Sequence, residues 1–194
     1  MAGQLLKNKF KTVSITVVDY NETLTPNNDP RISLEHYRTL DSIPPGLFDF
    51  VMASAVIEHI PHPRLILDRL SDLLRNEGII YFRTPYAQPF LKISNFLKLN
   101  LIDFSFPGHV HDLGMDFWES GFVKVLYPNE FKILGSNPSL VETSFKDSFF
   151  RTLTAYLLKS PWYLFGNSYK LVGGWEIFLQ KTGASNKLEP PQST

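Results

Sequence analysis

The segment from Phe48 to Pro85, FDFVMASAVIEHIPHPRLILDRLSDLLRNEGIIYFRTP, constrains the fold more than any other part of the chain. It reads in order as an apolar strand (Phe48 to Ala53), a polar turn, an amphipathic helix, a Gly-containing turn and a second strand (Ile79 to Arg83). Parallel strands need a long crossover, usually a helix, so this order predicts a βαβ unit. The helix is expected over Pro63 to Leu74. Leu65, Ile66, Leu70, Leu73 and Leu74 recur at helical spacing, Arg64, Asp68, Arg69 and Asp72 face water, and Pro63 suits the first turn. In a parallel α/β sheet, ligands sit at the carboxyl ends of the strands. The turn after the first strand holds Ser54, Glu58 and His59, which makes them the first candidate functional residues.

The flanking sequence extends the pattern. Val13 to Val18 is an apolar, largely β-branched run ending at Asp19, as expected of a strand buried on both faces. Arg31 to Tyr37 reads as a short strand. We expect Val13–Val18, Phe48–Ala53 and Ile79–Arg83 to be parallel members of one sheet. Further on, a helix is expected from Pro89 to Leu99, then a long aromatic loop. Trp118 to Phe122 reads as a helix end stopped by Gly121, followed by a strand at Val123 to Tyr127. A helical segment over Ser144 to Lys159 and a final strand at Trp175 to Gln180 complete the domain, taken as residues 1–181. Gln4 to Lys9 reads as the tail of a helix, and the polar residues 182–194 as a disordered tail.

Composition narrows the function classes. Nineteen Lys and Arg balance nineteen Asp and Glu, so the chain carries no net charge that would favour nucleic acid or an anionic surface. There is no cysteine, which excludes disulfides and thiolate metal sites and fits a cytoplasmic protein. No apolar run approaches the roughly 20 residues of a membrane span, and the N-terminus lacks the apolar core of a secretory signal.

The segment FDFV-x-AS-x-VIEHIPHP, followed by a helix ending LLRNEGIIYFRTP, resembles class I S-adenosylmethionine-dependent methyltransferases. The acidic strand end VVDYN and the closing WEIFLQK fit the same family. The resemblance implies an α/β fold, a Rossmann-like mostly parallel sheet with flanking helices. It also implies S-adenosylmethionine as cofactor and methyl transfer to an acceptor. Asp19 matches the carboxylate that holds the cofactor ribose, and Ser54 falls on the cofactor side of the following strand end. The alternative for Asp19 is a loop carboxylate capping a turn. One departure stands out. The family's first strand and its G-x-G-x-G loop should precede Val13, yet only 12 residues do, with Gly3 their single glycine. The expectation is a domain without that strand and loop, truncated or degenerate, and weak cofactor binding. Glu77 stands where the family has the first glycine of a Gly-Gly turn.

Four residues are catalytic candidates: Glu58, His59, His109 and His111. His59 could act as general base on an acceptor hydroxyl. The structural alternative has Glu58 accepting backbone N–H bonds and His59 capping the helix. His109 and His111 form an H-x-H pair beside Asp112, which leaves three readings: a divalent metal, an acceptor contact or loop hydrogen bonding. We assign no metal. The segment 86–118 is expected to be a lid or acceptor-side insertion. Its part from Phe106 to Trp118 should fold over the strand ends and bring His109 or His111 near Glu58 and His59, with Gly108 and Gly114 providing turns. Phe104, Phe106, Phe117 and Trp118 are expected in the core rather than as a ligand platform. The partner expected is a small-molecule acceptor, with no nucleic acid. A protein partner or a second copy could cover exposed sheet edges. The competing reading is a non-catalytic methyltransferase-like remnant that acts by binding. A nucleotide-binding reductase is disfavoured because no Gly-rich phosphate loop is present.

Overall fold

The computed structural model describes residues 12–19, 30–98, 110–140 and 144–182. The expected helix tail at Gln4 to Lys9, the polar tail, Phe104, Phe106, Gly108 and His109 lie outside the described residues. The chain divides into two compact units, up to Pro45 and from Gly46.

In the first unit, β1 (Val13–Val18) pairs in parallel with β2 (Ile32–Tyr37), in register from Val13 opposite Ile32 to Val18 opposite Tyr37. Both strands were legible in the sequence. Their sheet membership was not, because β1 and β2 form a two-stranded sheet of their own. A β-branched run shows that a strand forms but not which strand it pairs with.

The second unit is built on a four-stranded sheet in the order β3–β4–β6–β5. The βαβ unit is present: β3 (Phe48–Ser54), α1 (Pro63–Leu73) and β4 (Leu74–Tyr86), with β3 and β4 parallel. β4 is longer than expected because the strand resumes directly after α1. The register jumps between Phe48–Leu74 and Phe50–Ile79, and the turn containing Glu77 and Gly78 takes up the difference. Gly78 is required there, since a Cβ would lie 2.8 Å from the Arg75 carbonyl oxygen and 3.2 Å from that of Phe48. β6 (Gly173–Lys181) lies antiparallel to β4 on one side and to β5 (Phe131–Pro138) on the other.

Two elements differ from the sequence expectation. On α1, Leu65 points outward, 70% exposed, and Leu67, Leu70 and Leu73 form the buried face. Leu65 sits about 140° around the helix from Leu70, outside the stripe. The expected strand at Val123 to Tyr127 is instead the end of a π-helix, Phe117–Leu126. The Tyr127 N–H bonds the Phe122 carbonyl at 2.9 Å, closing a five-residue turn. Gly121 does not stop the helix; it leaves room beneath the Phe117 ring, 3.4 Å from where a Cβ would be. The local β preference of VKVL is overridden by aromatic packing. Trp118 stacks on Phe82 at 4.7 Å between ring centroids, and Phe122 packs on Phe82, Tyr127 and Phe131. Trp118 is thus core, as expected, and Phe117 is half-buried against it. Ile80, Phe82, Trp175, Ile177 and Leu179 complete the centre of the sheet.

Beyond Tyr86 the chain enters α2 (Gln88–Phe96). Between β5 and β6 it forms α3 (Phe149–Lys159) and a short α4 (Trp162–Phe165). Among the described residues, no helix is long and apolar enough to cross a membrane.

Candidate active site

The site grows from the carboxyl end of β3. Ser54 is the last residue of the strand and is half-buried. Ala55 follows with φ +54°, in the left-handed region unfavourable to a residue with a Cβ. Its N–H bonds the Arg83 carbonyl at 2.9 Å, so the sharp departure is pinned to β4. Backbone strain of this kind concentrates at functional turns. The turn then makes a single 3-10 stretch, Ile57–His59, which buries Ile57 and Glu58 and leaves His59 exposed.

Glu58 is the most unusual residue of the unit. It is 0% exposed, and neither carboxylate oxygen has a hydrogen-bond partner. Buried carboxylates are ordinarily paired, because desolvation without compensation is expensive. The expectation that Glu58 accepts backbone N–H bonds through its side chain is therefore corrected. Its backbone carbonyl does so instead, receiving the N–H of Val110 at 2.8 Å and of His111 at 3.2 Å. The N-cap residue of α1 is His62, whose side chain makes no capping bond.

Those two bonds bring the segment after residue 109 onto the Glu58 turn, as the topology predicted for one of the two histidines. The His111 Nε2 lies 3.0 Å from the Ile60 carbonyl oxygen. A carbonyl only accepts, so Nε2 carries the proton in neutral imidazole and Nδ1 keeps the lone pair. Asp112 takes a different role from its neighbour. Its two oxygens accept the N–H groups of Ala87 at 2.9 Å and Gln88 at 2.6 Å, tying the segment to the start of α2. A carboxylate at a helix N-terminus satisfies orphan donors and complements the helix dipole. Asp112 is thus an anchor rather than a ligand partner of His111. Among the described residues no group of three His, Cys, Asp or Glu side chains is arranged to hold a metal ion. Gly114 serves close approach, since a Cβ would lie 2.8 Å from the Tyr86 ring.

Tyr86, at the end of β4, was not singled out from the sequence as a site residue. Burial, then Asp112 and Asp116, push its hydroxyl above the ordinary tyrosine range. The available signal was its position, an aromatic at the carboxyl end of the strand next to β3. In the first unit, Asp19 follows β1 directly, is exposed, and gives its backbone N–H to the Tyr37 carbonyl at 3.2 Å.

A parallel β–α–β core closed by an antiparallel strand pair, with a polar turn at the carboxyl end of its first strand, defines a Rossmann-like α/β domain. A methyltransferase domain model matches residues 4–139, and the chain belongs to that family. An S-adenosylmethionine-dependent methyltransferase from Methanosarcina mazei is similar in structure, with TM-score 0.50 and 14% identity over 93% of this chain and 86% of that one. Another, from Archaeoglobus fulgidus, matches with TM-score 0.46 and 16% identity, over 86% of this chain and 75% of that one. No curated protein matches the sequence.

The family implies S-adenosylmethionine, and each unit offers a residue whose chemistry suits part of it. Asp19, an exposed carboxylate immediately past a strand, has the chemistry to accept from a ribose diol. Ser54 offers a hydroxyl at the corresponding end of β3. The amino-acid end is different, because none of the 11 glycines falls in a G-x-G-x-G run.

Proposed function

We propose that this domain transfers a methyl group from S-adenosylmethionine to a small-molecule acceptor, with Glu58 and His111 on the acceptor side. The observation that carries this reading is the Glu58 carboxylate, fully buried and unpartnered on the turn that the His111 segment covers. An acceptor with a hydroxyl or amino group would give that carboxylate the donor it lacks. His111, with Nε2–H committed to Ile60, has Nδ1 as the atom to take the acceptor's proton. The bound cofactor supplies the methyl group on a sulfonium, and the chain's own residues align the nucleophile. We assign Asp19 and Ser54 to the cofactor side, and His59, exposed at the turn, to the rim of the acceptor site; His109 joins them as an expectation. The balanced charge of the chain supports a small acceptor over nucleic acid.

Without a glycine cradle, the chain is expected to bind the cofactor weakly. Several missing hydrogen bonds at about 0.5–1.5 kcal/mol each amount to orders of magnitude in affinity. Calorimetry with S-adenosylmethionine should give a dissociation constant weaker than micromolar. At saturating cofactor, the small-molecule fraction of a cell extract should drive S-adenosylhomocysteine release, and His111→Ala or Glu58→Gln should abolish it. Release driven only by the macromolecular fraction would refute the acceptor assignment. The second reading, a non-catalytic binding remnant, is favoured by the apolar exposure of β3, where Phe50 and Met52 face solvent. It predicts no cofactor heat and no release with either fraction.

A further inference from the structure

Helices α3 and α4, which follow one another directly across Ser160 and Pro161, carry their large apolar side chains outward. On α3, the residues facing the body are Thr152, 1% exposed, together with half-buried Ala155 and Lys159. Their contacts are polar. The Thr152 hydroxyl donates to the Ser144 carbonyl at 3.0 Å, and the Lys159 ammonium donates to the Ser139 carbonyl. The outward face carries Phe149, Phe150, Leu153, Tyr156 and Leu157, a helical stripe of the kind that normally packs into a core. α4 repeats the arrangement. The Trp162 indole N–H donates to Asn167 at 3.3 Å, and Asn167 in turn donates to Glu119 and Ser136. Tyr163 and Leu164 beside it are each 83% exposed. Lys159 on Ser139 and Asn167 on Glu119 and Ser136 tie the two helices to the rest of the unit by polar contacts, while their large apolar side chains face out.

We propose that this face seats in the interface of an anionic phospholipid bilayer. Contiguous apolar patches on a folded surface mark membrane or protein contacts, and three observations favour lipid. First, the face is rich in aromatic residues, the type that settles at the headgroup level. Second, of the basic side chains in residues 144–172, Lys159 is turned to the Ser139 carbonyl and Lys170 pairs with Asp116, which leaves Lys146 and Arg151 against a single acidic residue, Asp147, although the whole chain is neutral. Lys146 and Arg151 are exposed beside the apolar stripe. Protein interfaces are depleted in lysine, whereas anionic lipid attracts it. Third, α3 has 11 residues, a length of roughly 16 Å, too short to cross a bilayer core of about 30 Å. An amphipathic helix of that length with basic flanks lies in the interface plane.

Vesicle flotation of the full chain tests the assignment. The chain should float with phosphatidylcholine vesicles containing about a third phosphatidylserine, and at least about tenfold less with phosphatidylcholine alone or in high salt. Phe150→Ser, Tyr163→Ser and Leu164→Ser together should lower binding to the anionic vesicles by about tenfold or more. Lys146→Glu with Arg151→Glu should do so while leaving the apolar face intact. A readout that needs no variant is the blue shift of Trp162 emission on adding anionic vesicles, since Trp118 and Trp175 are already buried. Failure to float with anionic vesicles would overturn the proposal. So would a lipid-free dimer abolished by the triple substitution, which would assign the face to a second copy. Neither readout depends on methyl transfer.

Discussion

Phe82 and Phe150 are the same side chain with opposite fates, one fully buried at the centre of β4 and the other 80% exposed on α3. The two regions they represent follow different rules. In the sheet, Phe82 meets Trp118 and Phe122 face and edge, and the polar groups of the strands are consumed by the ladder. On α3 and α4, polar contacts face inward and large apolar side chains face out. Hydrophobic periodicity reports only that a helix has two faces. Which face turns inward depends on the surface it meets, and here that surface offers the Ser139 carbonyl to Lys159.

Truncating one aromatic in each region separates a core ring from an exposed one. Trp175→Ala, at a position that is 0% exposed, should destabilise by roughly 3–5 kcal/mol in urea denaturation. Tyr163→Ser should stay within about 0.5 kcal/mol. Comparable losses would show that the outer face of α3 and α4 is part of the folding core and has no free partner surface.

Glu58 supplies the next largest effect, with the opposite sign. A buried carboxylate without a partner is a stored destabilisation, so Glu58→Leu should raise stability by roughly 1–3 kcal/mol while removing methyl transfer. A lower denaturation midpoint for this variant would show that the carboxylate supports the fold. At alkaline pH the relevant group is Tyr127. Burial, then its 2.6 Å bond to Asp68, hold its hydroxyl well above the ordinary tyrosine value. A group whose folded pKa is raised contributes its full stability below the unfolded pKa and loses it as pH rises. Stability should therefore decline above about pH 10, and Tyr127→Phe should flatten that decline in a series of melts.

The βαβ unit was legible because two apolar strands, a helical stripe and a proline start all pointed the same way. The approach of His111 to the Glu58 turn was legible from topology, since the segment leaves β4 beside the end of β3. What failed shares one cause: tertiary contacts decided between locally equal choices. VKVL could be strand or helix, and the rings of Phe82 and Phe131 fixed it as a π-helix. Asp112 could serve a metal or a helix end, and the N–H groups of Ala87 and Gln88 claimed both its oxygens. The isolation of Glu58 was not legible at all, because a missing partner leaves no mark in a sequence.

The smallest effect tests whether a departure from the family is tolerated or useful. Glu77 stands where the resemblance led us to expect a glycine, and its φ of +63° lies in the left-handed region. An L residue there bears a steric penalty that glycine avoids, partly offset by the greater freedom glycine has when unfolded. Glu77 also supplies a carbonyl to the Gln180 side chain at 3.1 Å, and any residue keeps that backbone bond. Glu77→Gly should therefore stabilise by about 0.5–1 kcal/mol. Gly78→Ala should destabilise by more than that gain, because its Cβ would press on backbone carbonyls of both Arg75 and Phe48. Melting both variants side by side checks the pair. If Glu77→Gly instead lowers the midpoint, the glutamate side chain makes a contribution that outweighs its backbone strain, and the turn is specialised in this chain.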